Sequence, residues 1–464
     1  MSILSPDSAQ YYYEKIIAIE AAEGPKRTDK FKDLRAVLDS LFKELTSQES
    51  QYFKSTFSRS NYIFDKYDVS PVVRDEVHGL RVRANHVVHN AGADVSDDDL
   101  LTGMKALALA ISHFGNTPEP AALSAKYSHR PELTFKQKQK RNHTHISEMQ
   151  LTVVEVLHEE ATSYRTTLRG DAEELGDVVI NLFNPKEQKD FWRSCFAEVG
   201  KRLSKYTHVS FYNIQLNEGT ENVYSTTPHT IMVVEPDYLI EASKLAECFD
   251  RNGINPNIYL LGKFKQSETS YKMMLGNVAN NILDTLALSP GSTHTDVRHE
   301  PMGEQAFGLL CVAQQGGKFV PGILNDMYQD ATPHVAVIND VLARYKNHKL
   351  LIEPTYFSTR FGLHGRLDML AQDPEEERRK NIVELKSGSV PGLNYNEGLW
   401  QNNKAQIQCY NMLLESTFPG RAGDSAILYS NGGKNDGKPL RNHAESVQLR
   451  QELMTLRNLI VLND

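Results

Sequence analysis

Asp368, Glu384 and Lys386 are the residues whose types and spacing could do chemistry together. They occur in FGLHGRLDML and NIVELKSG, short apolar runs bounded by polar residues or glycine and separated by the charged stretch AQDPEEERRK. GRLDML and NIVELK read as adjacent strands joined by a turn, a β-hairpin. Side chains alternate along a strand, so Glu384 and Lys386 share a face, and the hairpin brings Asp368 toward them. Two carboxylates converging at a strand edge suit a hard divalent cation such as Mg²⁺ or Mn²⁺, which keeps several waters for a substrate. Such an ion acidifies a bound water and offsets the charge of a phosphodiester. Lys386 adds a compact charge with rotatable donors, able to orient the attacking water or stabilise a pentavalent transition state.

Glu-Leu-Lys alone is an ordinary exposed strand with alternate charges. Its meaning comes from GRLD upstream and from QIQCY downstream. Gln406 and Tyr410 stand four apart on the helix expected over KAQIQCYNMLL and share a face, which could line a nucleic-acid groove beside the metal or support the site. The plainer alternative is a tyrosine packed under the helix with glutamine as its polar neighbour.

The elements that must position these residues are legible along the chain. Residues 1–125 carry helical patterning, with Phe31, Leu34, Val37, Leu38, Leu41 and Phe42 on one face. A further helix carries Leu100, Leu101, Met104, Leu107, Ala108 and Ile111 behind the cap signal DVSDDD. Residues 126–145, ending in KQKQKRNHTH, read as a basic exposed linker. Over 146–234 the texture is strand-like, in QLTVVEVL, SYRTTL, GDVVINLF, HVSFYNIQL and HTIMVV, with one amphipathic helix, FWRSCFAEVGKRL; a small β-barrel-like module fits. Residues 235–464 mix helices and strands as an α/β core with a mixed central sheet does, so the expected class is multidomain α+β.

RFGLHGRLD, NIVELKSG and QIQCYNMLL together resemble the RecB-type branch of the PD-(D/E)XK nucleases. The nearest likeness is to the nuclease domain of the Okazaki-fragment nuclease-helicase family and its CRISPR-associated exonuclease relatives. It covers about residues 146–464, strongly over 356–414 and weakly before 230, taking in VVEPDYLIEASKLAEC, GNVANNILDTL and LGDVVINLF upstream and SAILYSNG and LRNLIV downstream. The resemblance implies a Mg²⁺- or Mn²⁺-dependent deoxyribonuclease acting on single-stranded or flapped DNA, in DNA repair or in defence against phage or plasmid. It implies Asp368 and Glu384 as metal ligands and Lys386 as the third catalytic residue. A catalytically degenerate fold that only binds DNA or a partner is the alternative.

Two departures stand out. The family's first core helix carries a metal-binding histidine in a Gly-x-x-x-His setting, where this chain has Gly276 and Asn280. An amide is a weaker, neutral ligand than imidazole for a transition metal, though acceptable to Mg²⁺. The family also has a four-cysteine iron-sulfur cluster, of which only Cys248 has a counterpart here, and one thiolate cannot hold a cluster. The sequence has no G-x-x-x-x-G-K-[ST] phosphate loop; GGK at 316–318 and at 432–434 reads as turns. The helicase partner that the resemblance implies would act in trans, or in cis if the chain is part of a longer polypeptide.

In the N-terminal helical region, HGLRVRANHVVHN resembles the R-x(4-6)-H motif of HEPN domains. That likeness implies an acid or base at His89, phosphorane stabilisation by Arg83 and a polar helper at Asn85, as a ribonuclease or as a non-catalytic dimerisation module. Arg83 and His89 are six apart, about 600° of helix rotation, so such a site is normally completed across a homodimer.

Composition bounds these readings. At 40% hydrophobic and 24% charged the chain is an ordinary globular protein of more than one domain. The net charge of -8 gives no global attraction to nucleic acid, so DNA binding must be local or metal-bridged. Cys195, Cys248, Cys311 and Cys409 form no CxxC pair and read as reduced thiols. With no long apolar run and no leader-like N-terminus, the expectation is a cytoplasmic protein without a membrane partner.

Overall fold

The computed structural model describes residues 3–90, 92–130, 132–135, 145–157, 165–184, 195–250, 253–265, 270–289, 292, 303, 308, 311, 322–431 and 437–464. The basic run 136–144 and both GGK segments lie outside these residues. The chain is mixed α/β, with an N-terminal helical region and mixed sheets. It forms two compact units, one of residues 1–183 and 200–230, the other of 184–199 and 231–464.

The first unit opens with helices α1 (Pro6–Ala21), α2 (Arg27–Leu45), α3 (Thr56–Lys66), α4 (Pro71–His89), α5 (Asp97–Gly115) and the short α6 (Ala121–Ser124). The apolar stripe of α2, Phe31 to Phe42, is buried in one core with Leu80, Met104, Leu107 and Ile111. Ser96 and Asp99 close a capping box at the start of α5, satisfying amides that no helical carbonyl can reach. The strands β1 (His145–Leu157), β2 (Arg165–Ala172), β3 (Gly176–Phe183), β4 (His208–Leu216) and β5 (Val223–Ser225) follow. They pair in the order β1-β2-β3-β5-β4, and β4 pairs back onto β1, which closes a five-stranded barrel and removes its free edges. One long strand can serve both sides because β1 bends at a bulge between Val153 and Glu155. Opposite the bulge stands Gly170, where a Cβ would lie 2.6 Å from the Thr152 carbonyl oxygen. A buried ion pair, Arg81 to Asp171 at 2.5 Å, ties α4 to β2. Of the helix expected over FWRSCFAEVGKRL, residues 191–194 lie outside the described residues; Phe196–Gly200 forms α7, whose residues up to Val199 belong to the second unit.

The second unit contains β6 (Ile231–Val234), β7 (Ile240–Glu241), α8 (Ala242–Glu247), β8 (Phe249–Asp250), β9 (Gly253–Ile254), α9 (Asn257–Gly262), α10 (Tyr271–Leu288) and α11 (Ile323–Leu342). Then come β10 (Lys349–Ile352), β11 (Thr355–Ser358), β12 (Leu363–Arg366), β13 (Met369–Gln372), β14 (Lys380–Lys386), α12 (Gln401–Thr417), β15 (Ser425–Tyr429), β16 (Leu440–Asn442) and α13 (Val447–Asn463). The main sheet runs β10-β13-β14-β15-β16, antiparallel except for the parallel pair β14–β15. Met369, Val383, Leu385 and Leu428 turn one face of it into a core shared with Val278, Ile282, Val335 and Ile338 of α10 and α11. Alternation sends Glu384 and Lys386 to the other face, toward α12.

The expected hairpin is present: β13 and β14 pair antiparallel, Met369 opposite Val383, and Asp373 accepts the amides of Glu375 and Glu376 in the turn. GRLDML is not one strand, however. Its first half, β12, pairs with β11 and β7 in a separate sheet, and the chain changes sheets at Leu367 and Asp368. The crossing is pinned by the Leu367 amide on the Pro354 oxygen at 3.1 Å and by the Glu353 amide on the Asp368 oxygen at 3.1 Å.

A candidate active site at the end of the central strand

The break between β12 and β13 is what frees the Asp368 side chain to turn toward β14. Its Oδ2 accepts the Leu385 amide at 2.6 Å, which sets the carboxylate beside that of Glu384. Glu384 is 2% exposed. Its Oε1 accepts from Lys386 Nζ at 2.9 Å and from Gln406 Nε2 at 2.7 Å. Gln406 Oε1 in turn accepts from Lys386 Nζ at 2.9 Å, so one amide fixes both charged groups. Gln406 Nε2 also donates to Tyr410 Oη at 2.8 Å, and that hydroxyl donates to the Arg366 carbonyl at 2.9 Å. The glutamine and tyrosine are thus site-supporting in this arrangement, and α12 reaches them because Gly365 has no Cβ. A Cβ there would stand 3.0 Å from the Tyr410 ring and 3.1 Å from Ala242 Cβ.

The electrostatics are unbalanced. Burial, and then the neighbouring Glu384 charge, push the Asp368 carboxyl well above the usual carboxylate range, and Lys386 offsets only part of this. Burial works to lower Lys386, but Glu384 and Asp368 outweigh it and hold the ammonium above its ordinary value. Burial, with the Glu384 charge, pushes the Tyr410 phenol far up, so it serves as a neutral donor. Among the described residues, Glu384 Oε2 is buried and finds no hydrogen-bond donor. A carboxylate oxygen without a donor, beside a second carboxyl group whose ionisation the first one resists, fits a divalent cation that one or two carboxylates bind. Among the described residues no group of three or more His, Cys, Asp or Glu side chains converges in metal-holding geometry. The donors brought together are therefore these two carboxylates.

A stability prediction follows from that imbalance. The folded-state pKa of Asp368 is raised, so ionising it opposes folding at any pH above the unfolded carboxyl value of about 3.9. Asp368→Asn is expected to stabilise the metal-free protein at pH 7 by on the order of 1 kcal/mol, a rise of roughly 2–4 °C in the melting temperature of a unit this size. The gain shrinks to nothing as pH falls below about 4. Thermal melts with EDTA across that range read it; an equal or lower melting temperature at pH 7 contradicts the charge imbalance.

The remaining sequence candidates fall elsewhere. Asn280 is half-buried on α10, and no hydrogen bond joins it to Asp368, Glu384 or Lys386. One turn earlier, Gly276 faces the strand end, where its Cβ would lie 3.5 Å from Ser387 Oγ. Cys248 is fully buried, its thiol 3.7 Å from the Lys244 oxygen and pushed by burial up to about 11. In the helical unit, Arg83 is held by Asp99 at 2.9 and 3.2 Å and by the Asp94 carbonyl at 2.6 Å. Asn85 donates to the Glu173 carbonyl at 2.9 Å, and His89 lies 3.7 Å from the Glu173 carboxylate. One copy of the chain therefore directs Arg83 and His89 to different partners.

Sequence reading did not single out two groups that support the strand end. His334 Nδ1 lies 2.7 Å from Ser430 Oγ, and the Ser430 amide donates to the Lys386 carbonyl at 3.0 Å. Burial lowers His334 to about 4, so it is neutral there. A lone histidine inside an apolar helix gives no spacing signal, and only the fold shows its partner. No family model matches the sequence, and no curated protein is similar to it.

Proposed function

We propose that this chain is a metal-dependent deoxyribonuclease that hydrolyses phosphodiester bonds in single-stranded or flapped DNA. The observation that carries the reading is the buried carboxylate pair, with Glu384 Oε2 unpartnered and Asp368 held at a raised pKa beside the like charge. A divalent cation, Mg²⁺ or Mn²⁺, bound by Asp368 and Glu384 would supply an acidified water and charge for the scissile phosphate. Gln406 holds Glu384 and Lys386 at hydrogen-bond distance, so neither must reorganise when substrate binds. Lys386 keeps its proton and offers a cation to the phosphate oxygens. Tyr410 links Gln406 to the Arg366 backbone and so fixes the distance from α12 to the end of β12, two residues before Asp368. A degenerate relative that only binds DNA is the weaker reading, because the whole charge constellation is assembled.

The test is the purified chain with end-labelled single-stranded, duplex and flapped DNA, and with RNA, in Mg²⁺, Mn²⁺ or EDTA. Cleavage of single-stranded or flapped DNA that EDTA abolishes supports the reading; cleavage of RNA alone, or no cleavage in either metal, overturns it. The same assay examines Asn280. As a neutral ligand it contributes less than a carboxylate, so Asn280→Ala is expected to cost much less than Asp368→Ala. Asn280→His should raise activity more in Mn²⁺ than in Mg²⁺. Identical metal dependence in the wild type and both variants removes Asn280 from the metal shell.

A further inference from the structure

Beyond the carboxylates, a cleft of about 390 Å³ is lined by Lys386, Tyr395, Trp400, Glu247 and Asp250 among others. We infer that this cleft is a nucleobase subsite, in which the Tyr395 and Trp400 rings take the base next to the phosphodiester to be cleaved. The inference rests on the nuclease reading of the neighbouring site.

Size and surface come first. The volume lies at the small end of the range for small-molecule pockets, roughly 300–1,000 Å³, which suits one nucleotide and not a stacked duplex. The two rings stand 5.3 Å apart at 56°, so they do not stack face to face on each other. Tyr395 is 43% exposed, a large aromatic surface left open beside a catalytic lysine. Aromatic faces of this kind accept any base, because every base has a π-face.

The loop that carries the rings is held with unusual firmness. Asn396 and Glu397 adopt left-handed backbone at φ 45° and 60°, followed by Gly398 at φ 77°. Lys404, itself buried, donates to Asn396 Oδ1 at 2.9 Å and to Glu397 Oε2 at 2.7 Å. Buried Arg441 donates to the Pro391 carbonyl at 2.7 Å and to that of Gly398. Trp400 Nε1 donates to the Ser389 carbonyl at 2.7 Å, which fixes the plane of the indole. Two buried cations and two strained residues thus serve one surface loop, and strain of this kind collects at ligand clamps. A rigid platform lowers the ordering cost of binding.

Charge in the lining favours one orientation: Lys386 attracts phosphate, whereas Glu247, paired with Lys244 at 2.9 Å, and Asp250 do not, so a strand places its backbone by the lysine and its base on the rings. In a duplex the bases are paired and stacked, so only a single strand or a frayed end fills the cleft without unpairing.

Anisotropy of labelled DNA with the full chain in EDTA tests this without requiring cleavage. Tyr395→Ala is expected to weaken binding of a thymidine oligonucleotide by roughly 5- to 100-fold. It should leave unchanged the binding of an equally long strand of abasic deoxyribose phosphates. Trp400→Leu should behave like Tyr395→Ala, and Trp400→Phe should retain most of the affinity. Because Tyr395 is exposed, its removal empties no core, and the abasic strand reports an intact fold. Equal weakening on both strands, or no weakening on either, overturns the base subsite. Failure of the nuclease reading shows separately, as absent cleavage in Mg²⁺ and Mn²⁺ by a chain that still discriminates the two strands.

Discussion

Alanine at Asp368, Glu384 or Lys386 is expected to lower cleavage of single-stranded DNA by on the order of 10³-fold while the protein stays folded. Each removes one part of a single constellation: Asp368 and Glu384 are the carboxylate pair, and Lys386 is the cation beside it. The geometry predicts strong non-additivity, because Lys386 and Gln406 both bond to the same Glu384 oxygen. A double variant should lose little more than the worse single one. Gln406→Ala should cost less, about ten- to a hundred-fold, since it leaves all three charged groups in place and removes only what aligns them. Rates for a purified, monodisperse series decide this. Near wild-type activity in any of the three alanine variants removes that residue from the catalytic core.

The second large effect concerns stability. Arg457 is fully buried on α13 and donates to the carbonyls of Val234, Glu235, Tyr238 and Gly362. Burial lowers its pKa to about 10, so the guanidinium is still charged at neutral pH. Gly362, at φ +61°, lets the backbone come so close that a Cβ would meet the guanidinium at 2.3 Å. Gly362 leads directly into β12 and thence to Asp368, so this one side chain ties the last helix to the strand that delivers the first carboxylate. Arg457→Ala leaves several buried carbonyls without a donor and should destabilise the second unit by about 3–5 kcal/mol. For a unit of this size that is a fall of roughly 6–20 °C in melting temperature. Arg457→Lys should rescue little, because an ammonium cannot span four carbonyls on two segments as a planar fork does. Thermal melts followed by circular dichroism measure both; a loss below about 1 kcal/mol contradicts the account of the guanidinium as the tie.

These two results lie at opposite ends of what the sequence makes legible. The stripe from Phe31 to Phe42 and the cap at Ser96 follow from local periodicity and local hydrogen bonding, and both appear in the structure. Glu384 and Lys386 share a face because alternation along a strand is local too. Gln406 and Tyr410, four apart, do bond to each other. The sheet change at Leu367 is not legible, because it is set by Glu353 and Pro354 in the connection between β10 and β11 and leaves GRLDML looking continuous. Arg457 was equally hidden, since an arginine in an amphipathic helix looks like a solvated charge until the carbonyls of residues 234–238 and 362 surround it. The rings at Tyr395 and Trp400 lie in a glycine- and asparagine-rich stretch that reads as a plain loop, and their value comes only from the cleft they wall.

The account turns on whether Glu384 and its partner carboxylate recruit a cation to cut DNA. Its most direct measurement is the initial rate of single-stranded DNA cleavage against Mg²⁺ concentration, for the wild type and for Glu384→Gln side by side. Glutamine keeps the shape and the hydrogen-bonding reach of the side chain and removes only the charge. The account predicts a saturable, EDTA-reversible rate in the wild type and essentially none in Glu384→Gln at any Mg²⁺ concentration, with both proteins equally folded. Equal rates in the two proteins, or a wild-type rate indifferent to EDTA, would contradict it.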